Sequence, residues 1–384
     1  MITYRKGLFL LAVFYVFVTA CASDNSSSSL TKKDVERVSA ELKAGWINTT
    51  KSRLAYVYNS KEAKESGITM PLWWIVYGEK PADGYCLYIS LHGGGGAPAE
   101  VNDQQWENQK RLYHPKNCVY VAPRAPWNEW NMWFKQGIDP LYEDIIQMAV
   151  AYYGVNPDKV YIMGYSAGGD GVWRLAPRMA DTWAAASMMA GHPGDVSLIN
   201  LRNTPFMIWC GELDSAYNRN VLDAQRGVEM DSLQRADPEG YIHHTTIAKG
   251  MAHWMNRIDT VAVDWMAQYR RNPYPKKIVW QQEEVLRQHF YWLEAPESEL
   301  KRGMTVRAEI QGNEINLTRC DYSSLTICLN DDLVNLDLPV TVKYDGRTLF
   351  SGVVERTKDN MVRTLADRND LSYMFPSIIK VKLK

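Results

Sequence analysis

The chain has 384 residues, 46% of them hydrophobic and 23% charged, which supplies ample core for one or two globular domains and excludes a disordered or fibrous protein. A formal net charge of −1 removes the electrostatic case for a nucleic-acid partner. Of the six cysteines, the five after Cys21 form no Cys-x-x-Cys pair and no zinc-like spacing, so neither a disulfide framework nor a metal site is indicated.

At the N-terminus, Arg5 and Lys6 precede an apolar run from Leu8 to Ala20 that is too short for a membrane-spanning helix and reads as a signal peptide over residues 1–20. Val18-Thr19-Ala20-Cys21 at its end resembles the bacterial lipobox, which implies lipidation of Cys21 and a membrane anchor through it. Residues 21–29, rich in serine, then read as a flexible tether, and the remainder is expected in the cell envelope, outside the cytoplasm. Cys86, Cys118 and Cys210 fall in apolar runs, where a small buried thiol is the default. Cys320 and Cys328 flank a short polar stretch, and in an oxidising compartment a bridge across a hairpin is one reading of them.

From Leu30 to Tyr58 the apolar spacing predicts an amphipathic helix, started by Thr31 and Asp34. Leu72 to Tyr77 and Tyr85 to Leu91 predict strands joined by the turn-forming Pro81-Ala82-Asp83-Gly84. The second strand runs into His92-Gly93-Gly94-Gly95-Gly96. No Gly-Lys-Ser/Thr follows, which argues against a phosphate loop, whereas bare amides there suit close approach to an anionic oxygen. Cys118 to Ala122 predicts another strand, and the loop after it carries Trp127, Trp130, Trp133 and Phe134. Such a cluster is more often packing than a platform, yet its place beyond a strand end makes Trp130 and Trp133 candidate substrate contacts. Asp139-Pro140 opens a helix with Leu141, Ile145, Met148 and Tyr152 on one face and Gly154 at its end.

Val160-Tyr161-Ile162-Met163 then leads into Gly164-Tyr165-Ser166-Ala167-Gly168-Gly169, an apolar strand ending in a serine held between glycines. Ala184 to Ala190 and Phe206 to Cys210 predict two further strands, ending in Gly191-His192-Pro193 and Gly211-Glu212-Leu213-Asp214. Asn218 to Arg235 reads as a helix, Tyr241 to Ile247 as a strand, Gly250 to Trp254 as its loop, and Ile258 to Met266 as a closing helix. Alternating strands and helices over residues 30–273 predict an α/β fold with a doubly wound, mostly parallel sheet. Residues 274–384 change texture to β-branched strands such as Met304 to Ala308 and Val340 to Tyr344. An Asp345-Gly346 hairpin turn, a short helix at Met361 to Asp367 and a last strand at Ser377 to Leu383 complete a small β-rich C-terminal domain.

A serine hydroxyl is a poor nucleophile near neutral pH and needs a base in hydrogen-bond reach and an acid to orient that base. Ser166, Asp214 and His253 follow one another in the order Ser, Asp, His, each just past a predicted strand, so all three converge on one sheet edge. Glu212, Asp195 and Asp223 compete for the acid, but Asp214 sits at the turn while Asp223 falls within a helix. His243 and His244 lie inside a strand, and His114 and His289 belong to no motif. His192 stands at a strand end, where substrate contact and loop packing are equally good readings. His92, within the glycine loop, is a further candidate contact.

On these residues the segment from Leu72 to Met266 resembles the α/β-hydrolase superfamily. His92 to Gly96 and Gly164 to Gly169 are most similar to the polyhydroxybutyrate depolymerase, feruloyl esterase and dienelactone hydrolase-like group. The resemblance implies Ser166 as nucleophile, His253 as base, Asp214 as orienting acid, and an oxyanion hole from the amide of Ala167 and one within Gly93, Gly94 and Gly95. The expected reaction is hydrolysis of a small-molecule or glycan-linked ester without a cofactor. Two rival readings share these residues: a serine peptidase similar to the prolyl oligopeptidase group, and a non-catalytic surface lipoprotein that binds glycan.

Overall fold

The computed structural model describes residues 29–383, so the signal-peptide segment, Cys21 and nearly all of the serine-rich tether lie outside the described residues. The chain opens with helix α1 (Lys32–Arg53), capped reciprocally by Thr31 and Asp34, and α2 (Ala55–Ser60). The hairpin β1 (Glu62–Glu65) and β2 (Ile68–Tyr77) leads to β3 (Tyr85–Leu91) and helix α3 (Ala99–Leu112). Next come β4 (Cys118–Pro123), α4 (Asp139–Tyr153), β5 (Val155–Tyr165), α5 (Ala167–Arg178), β6 (Ala185–Met189) and β7 (Phe206–Gly211). Helix α6 (Arg219–Ala236), β8 (His243–Ala248) and α7 (Val261–Met266) close the segment.

The eight strands form one sheet in the order β1-β2-β4-β3-β5-β6-β7-β8. Pairing is antiparallel from β1 to β4 and parallel from β4 to β8. This is the sheet of the α/β-hydrolase fold, as the alternation of strands and helices predicts. Two-residue periodicity divides each central strand between two cores. Leu87, Ile89, Val160 and Ile162 face the layer built with α1, α4 and α5, while Tyr88, Tyr161, Met163 and Tyr165 face the layer containing α7. The loops that follow β3, β5 and β7 therefore start from strands held on both faces, whereas β8 is the half-exposed edge of the sheet.

Helix α3 is absent from the sequence expectations because its inner face is polar. The residues it buries are Asn102 and Gln109, which leave no apolar period to read. Their burial is compensated by hydrogen bonds, Gln109 Nε2 donating to Ser90 Oγ at 2.7 Å and Asn102 holding the glycine loop.

The C-terminal residues build two smaller sheets. One contains β9 (Lys277–Gln281), β12 (Thr305–Gln311), β13 (Glu314–Cys320), β15 (Val340–Tyr344) and β16 (Arg347–Gly352). The other contains β10 (His289–Phe290), β11 (Leu293–Glu294), β14 (Ser324–Leu329) and β17 (Ser377–Lys382). Asp345 and Gly346 make the expected turn, with φ of 49° and 72°. The bridge between Cys320 and Cys328 that the sequence left open is not formed: the two end up in strands of different sheets, each buried in the core between them.

Helix α8 (Lys358–Arg368) returns to the first segment, placing Met361 and Leu365 in the core that contains Trp46 of α1. Trp46 Nε1 donates to Asn369 Oδ1 at 2.7 Å. At the junction of the segments, Arg271 is 4% exposed, with Nη2 at 2.7 Å from Asp158 Oδ1 and Nη1 at 2.7 Å from Asp370 Oδ2. No helix among the described residues is long and apolar enough to cross a membrane. Removing one member of a buried ionic network strands the others, so Arg271→Ala is expected to cost about 3–5 kcal/mol. Urea unfolding measures this; a loss within about 0.5 kcal/mol, as for an exposed site, would show that the junction does not depend on Arg271.

Candidate active site

Strand β5 ends at Tyr165 and α5 begins at Ala167, leaving Ser166 alone in the turn with φ 57° and ψ −122°. A side chain at positive φ is strained and persists only where its surroundings enforce it. Here the enforcement is backbone crowding. A Cβ on Gly164 would lie 2.3 Å from Gly168 O, and one on Gly168 would lie 2.1 Å from Leu91 O. Glycine at both positions is thus demanded by the approach of helix to strand, and Ser166 N donates to Met189 O of β6 at 2.9 Å.

Asp214 occupies the turn after β7 and His253 the loop after β8. His253 Nε2 lies 2.9 Å from Ser166 Oγ, and His253 Nδ1 lies 2.7 Å from Asp214 Oδ2. Asp214 is buried at 2% exposure, whereas the His253 side chain is 42% exposed, so the imidazole meets solvent and the carboxylate that holds it does not. Arg219 Nη1 stands 3.7 Å from the other oxygen of Asp214. The competing residues are engaged elsewhere. Glu212 accepts from Gly250 N, Asp195 pairs with Arg174 and Arg302, His243 meets Asp231, and His244 meets Thr246.

The glycine loop brings Gly93 beside the serine, where a Cβ would stand 3.2 Å from Ser166 Cβ. Gly94 and Gly95 have φ of 108° and 101°. Asn102 of α3 pins this loop: its Oδ1 accepts from Gly95 N at 2.9 Å, and its Nδ2 donates to Gly95 O and Ala97 O, each at 3.1 Å. Gly95 was expected among the oxyanion donors, but its amide is spent on Asn102. Gly93 borders Ser166, and the amide of Ala167, first in α5, has no acceptor within its helix.

Two expected substrate contacts are corrected by burial. His92 has no exposed surface; its Nδ1–H donates to Gly93 O at 2.6 Å and its Nε2 accepts from Ala125 N at 3.1 Å. Burial pushes its pKa down to about 3, so it is a neutral brace for the loop. Trp133 is equally buried and donates from Nε1 to His92 O at 2.9 Å. Trp130, by contrast, is 64% exposed and lies edge-on to Phe134. His192 is half-buried, with its Nδ1 accepting from Gly194 N and its own amide donating to Asp170 Oδ1. Burial lowers its pKa, with Arg219, Arg174 and Arg226 adding to the effect.

Three residues near the line were given no substrate-contact role from the sequence, Asp223 having been weighed only as a rival to Asp214. Tyr217 and Trp254 are 75% and 50% exposed; the Tyr217 ring lies 4.9 Å from the Arg219 guanidinium, and Trp254, next to His253 in the chain, leans on Tyr165 at 5.6 Å. Asp223 of α6 is fully buried, and neither carboxyl oxygen has a hydrogen-bond partner of good geometry. Burial pushes its pKa up to about 8, against the pull of the neighbouring Cys210 and Trp173 side chains. The folded state therefore holds this proton more tightly than the unfolded chain, and stability falls as pH rises from 3.8 through about 8. Asp223→Asn is expected to remove that slope and gain several degrees of unfolding temperature over the parent between pH 5 and pH 8. An unchanged difference across that range in thermal unfolding would contradict the assignment.

No family model matches the chain, and no curated protein matches it. Among solved structures, a thermostable esterase is similar at 20% identity and a TM-score of 0.43 over 55% of this chain, which spans 62% of that esterase. The feruloyl esterase module from Clostridium thermocellum complexed with sinapinate is similar at 16% identity and a TM-score of 0.36, covering 53% of this chain and 83% of its own. The Staphylococcus aureus fluorophosphonate-binding serine hydrolase FphF is similar at 15% identity and a TM-score of 0.38, covering 54% of this chain and 96% of its own. At such identities the likeness is one of fold and not of reaction.

Proposed function

We propose that this chain is a carboxylic-ester hydrolase of the serine type, with Ser166 as nucleophile, His253 as general base and Asp214 as the acid that orients it. The observation that carries the reading is the unbroken line of hydrogen bonds from Ser166 Oγ through His253 to the buried Asp214, set at a turn that no ordinary loop would adopt. In the reaction, His253 Nε2 takes the proton of Ser166 as Oγ bonds to the ester carbonyl carbon. The tetrahedral oxyanion is held by the amide of Ala167 and one from Gly93 or Gly94. Collapse returns the proton from His253 to the departing alcohol and leaves an acyl-serine. Water, deprotonated by the same histidine, then adds to the acyl carbon, and its second collapse releases the carboxylic acid and restores Ser166.

The exposed rings of Trp130, whose backbone borders the glycine loop, of Tyr217 beside Arg219 and of Trp254 next to His253 support a substrate whose bulk lies outside the site, as in a small acyl ester carried on a glycan. Lipidation at Cys21, with the enzyme held on the outer side of a membrane, belongs to the same proposal and rests on the lipobox-like Val18 to Cys21. Purified protein compared on short aryl esters, acetyl and feruloyl sugars, and dipeptide amides identifies the bond cleaved. Ser166→Ala is expected to lower aryl-ester turnover by at least ~10³-fold with circular dichroism unchanged. Full activity in that variant would remove Ser166 from the mechanism.

A further inference from the structure

Tyr165, the residue before the nucleophile, is 7% exposed and ends the tyrosine-rich face of β5. Other tyrosines of that core bond to scaffold carbonyls: Tyr88 to Val263 O at 3.1 Å and Tyr161 to Tyr269 O at 2.8 Å. The hydroxyl of Tyr165 reaches instead into the loop that presents His253. It donates to His253 O at 2.6 Å and accepts from Met255 N at 3.1 Å, so one oxygen ties the backbone at and beyond the base. The rings of Tyr165 and His253 lie edge-on, 6.0 Å between centroids, and Trp254 leans on the same tyrosine at 5.6 Å.

That loop needs a tether. Residues 249–257 contain no helix or strand, and Asn256 and Arg257 sit at φ of 51° and 66°. Upstream of His253 the loop is held by Leu213 N donating to Met251 O at 2.8 Å and by Gly250 N donating to Glu212. Downstream, the amide of Met255 is committed to Tyr165. Because Tyr165 leaves β5 one peptide bond before Ser166, its hydroxyl couples the height of the nucleophile to that of the base. Burial pushes the phenol pKa well up, so the group stays both donor and acceptor throughout neutral pH.

We infer that Tyr165 is a positioning residue, whose hydroxyl fixes the His253 loop so that the imidazole meets Ser166 and Asp214 at the same time. The inference rests on the proposed role of His253. Loss of the hydroxyl leaves His253 O and Met255 N without their partner, and a base displaced by about 1 Å loses up to about 10²-fold in rate.

The test compares Tyr165→Phe with Tyr161→Phe, which removes a hydroxyl from the same strand and face without touching the base. Tyr165→Phe is expected to lower kcat for an aryl ester 10- to 100-fold with KM unchanged. It should also broaden or abolish the low-field proton resonance of His253 Nδ1–H, while Tyr161→Phe keeps both at the parental values. If Tyr165→Phe retained parental kcat and an intact resonance, or if both variants lost activity together with unfolding temperature, Tyr165 would have no positioning role. The resonance reads the geometry without turnover, so a parent protein with no esterase activity would overturn the proposed reaction while leaving this inference measurable.

Discussion

The site depends on one backbone constraint: Ser166 at φ 57°, wedged between β5 and α5 where neighbouring main chains pass too close to admit a Cβ at Gly164 or Gly168. The same crowding extends to both adjacent strands, since Gly168 abuts Leu91 O at the end of β3 and a Cβ on Gly169 would stand 2.6 Å from Met189 O at the end of β6. The strained residue is thus surrounded by three parallel strand ends. A sheet core buried on both faces supplies the stability that holds such a conformation, which is unfavourable by about 1–3 kcal/mol taken alone.

Topology does the rest. With β3 on one side of β5 and β6, β7 and β8 on the other, the glycine loop reaches the serine from one flank, while Asp214 and His253 reach it from the other. Supports for these loops come from residues with no chemistry of their own. Asn102 and the neutral His92 hold the glycine loop, Arg219 faces Asp214, and Tyr165 holds the loop of the base. A buried carboxylate beside a half-open histidine gives a fixed imidazole that still meets solvent, the geometry that the proposed reaction needs.

The sheet and the three residues of the line were legible in the sequence because each rests on a short local pattern: an apolar run, then a glycine or turn, then the polar side chain. What was not legible required knowing which atoms meet. Helix α3 hides because its inner face hydrogen-bonds, and Gly95 looks like its neighbours until Asn102 takes its amide. His92 and Trp133 carry the residue types of a binding site but are wholly interior. Cys320 and Cys328, close in sequence, are separated by the division of their strands between two sheets. Nothing in the run from Gly164 to Gly168 says that the hydroxyl of Tyr165 ends at a loop 88 residues further along the chain.

The central claim is that Ser166, and no other residue, is the group made nucleophilic by this arrangement. Labelling of the intact protein with a fluorophosphonate, followed by peptide mapping, addresses it directly. The account predicts a single stoichiometric adduct on Ser166 that forms far more slowly when His253 is replaced by alanine. An adduct mapped to another residue, or no adduct under conditions that label a known serine hydrolase, would contradict it.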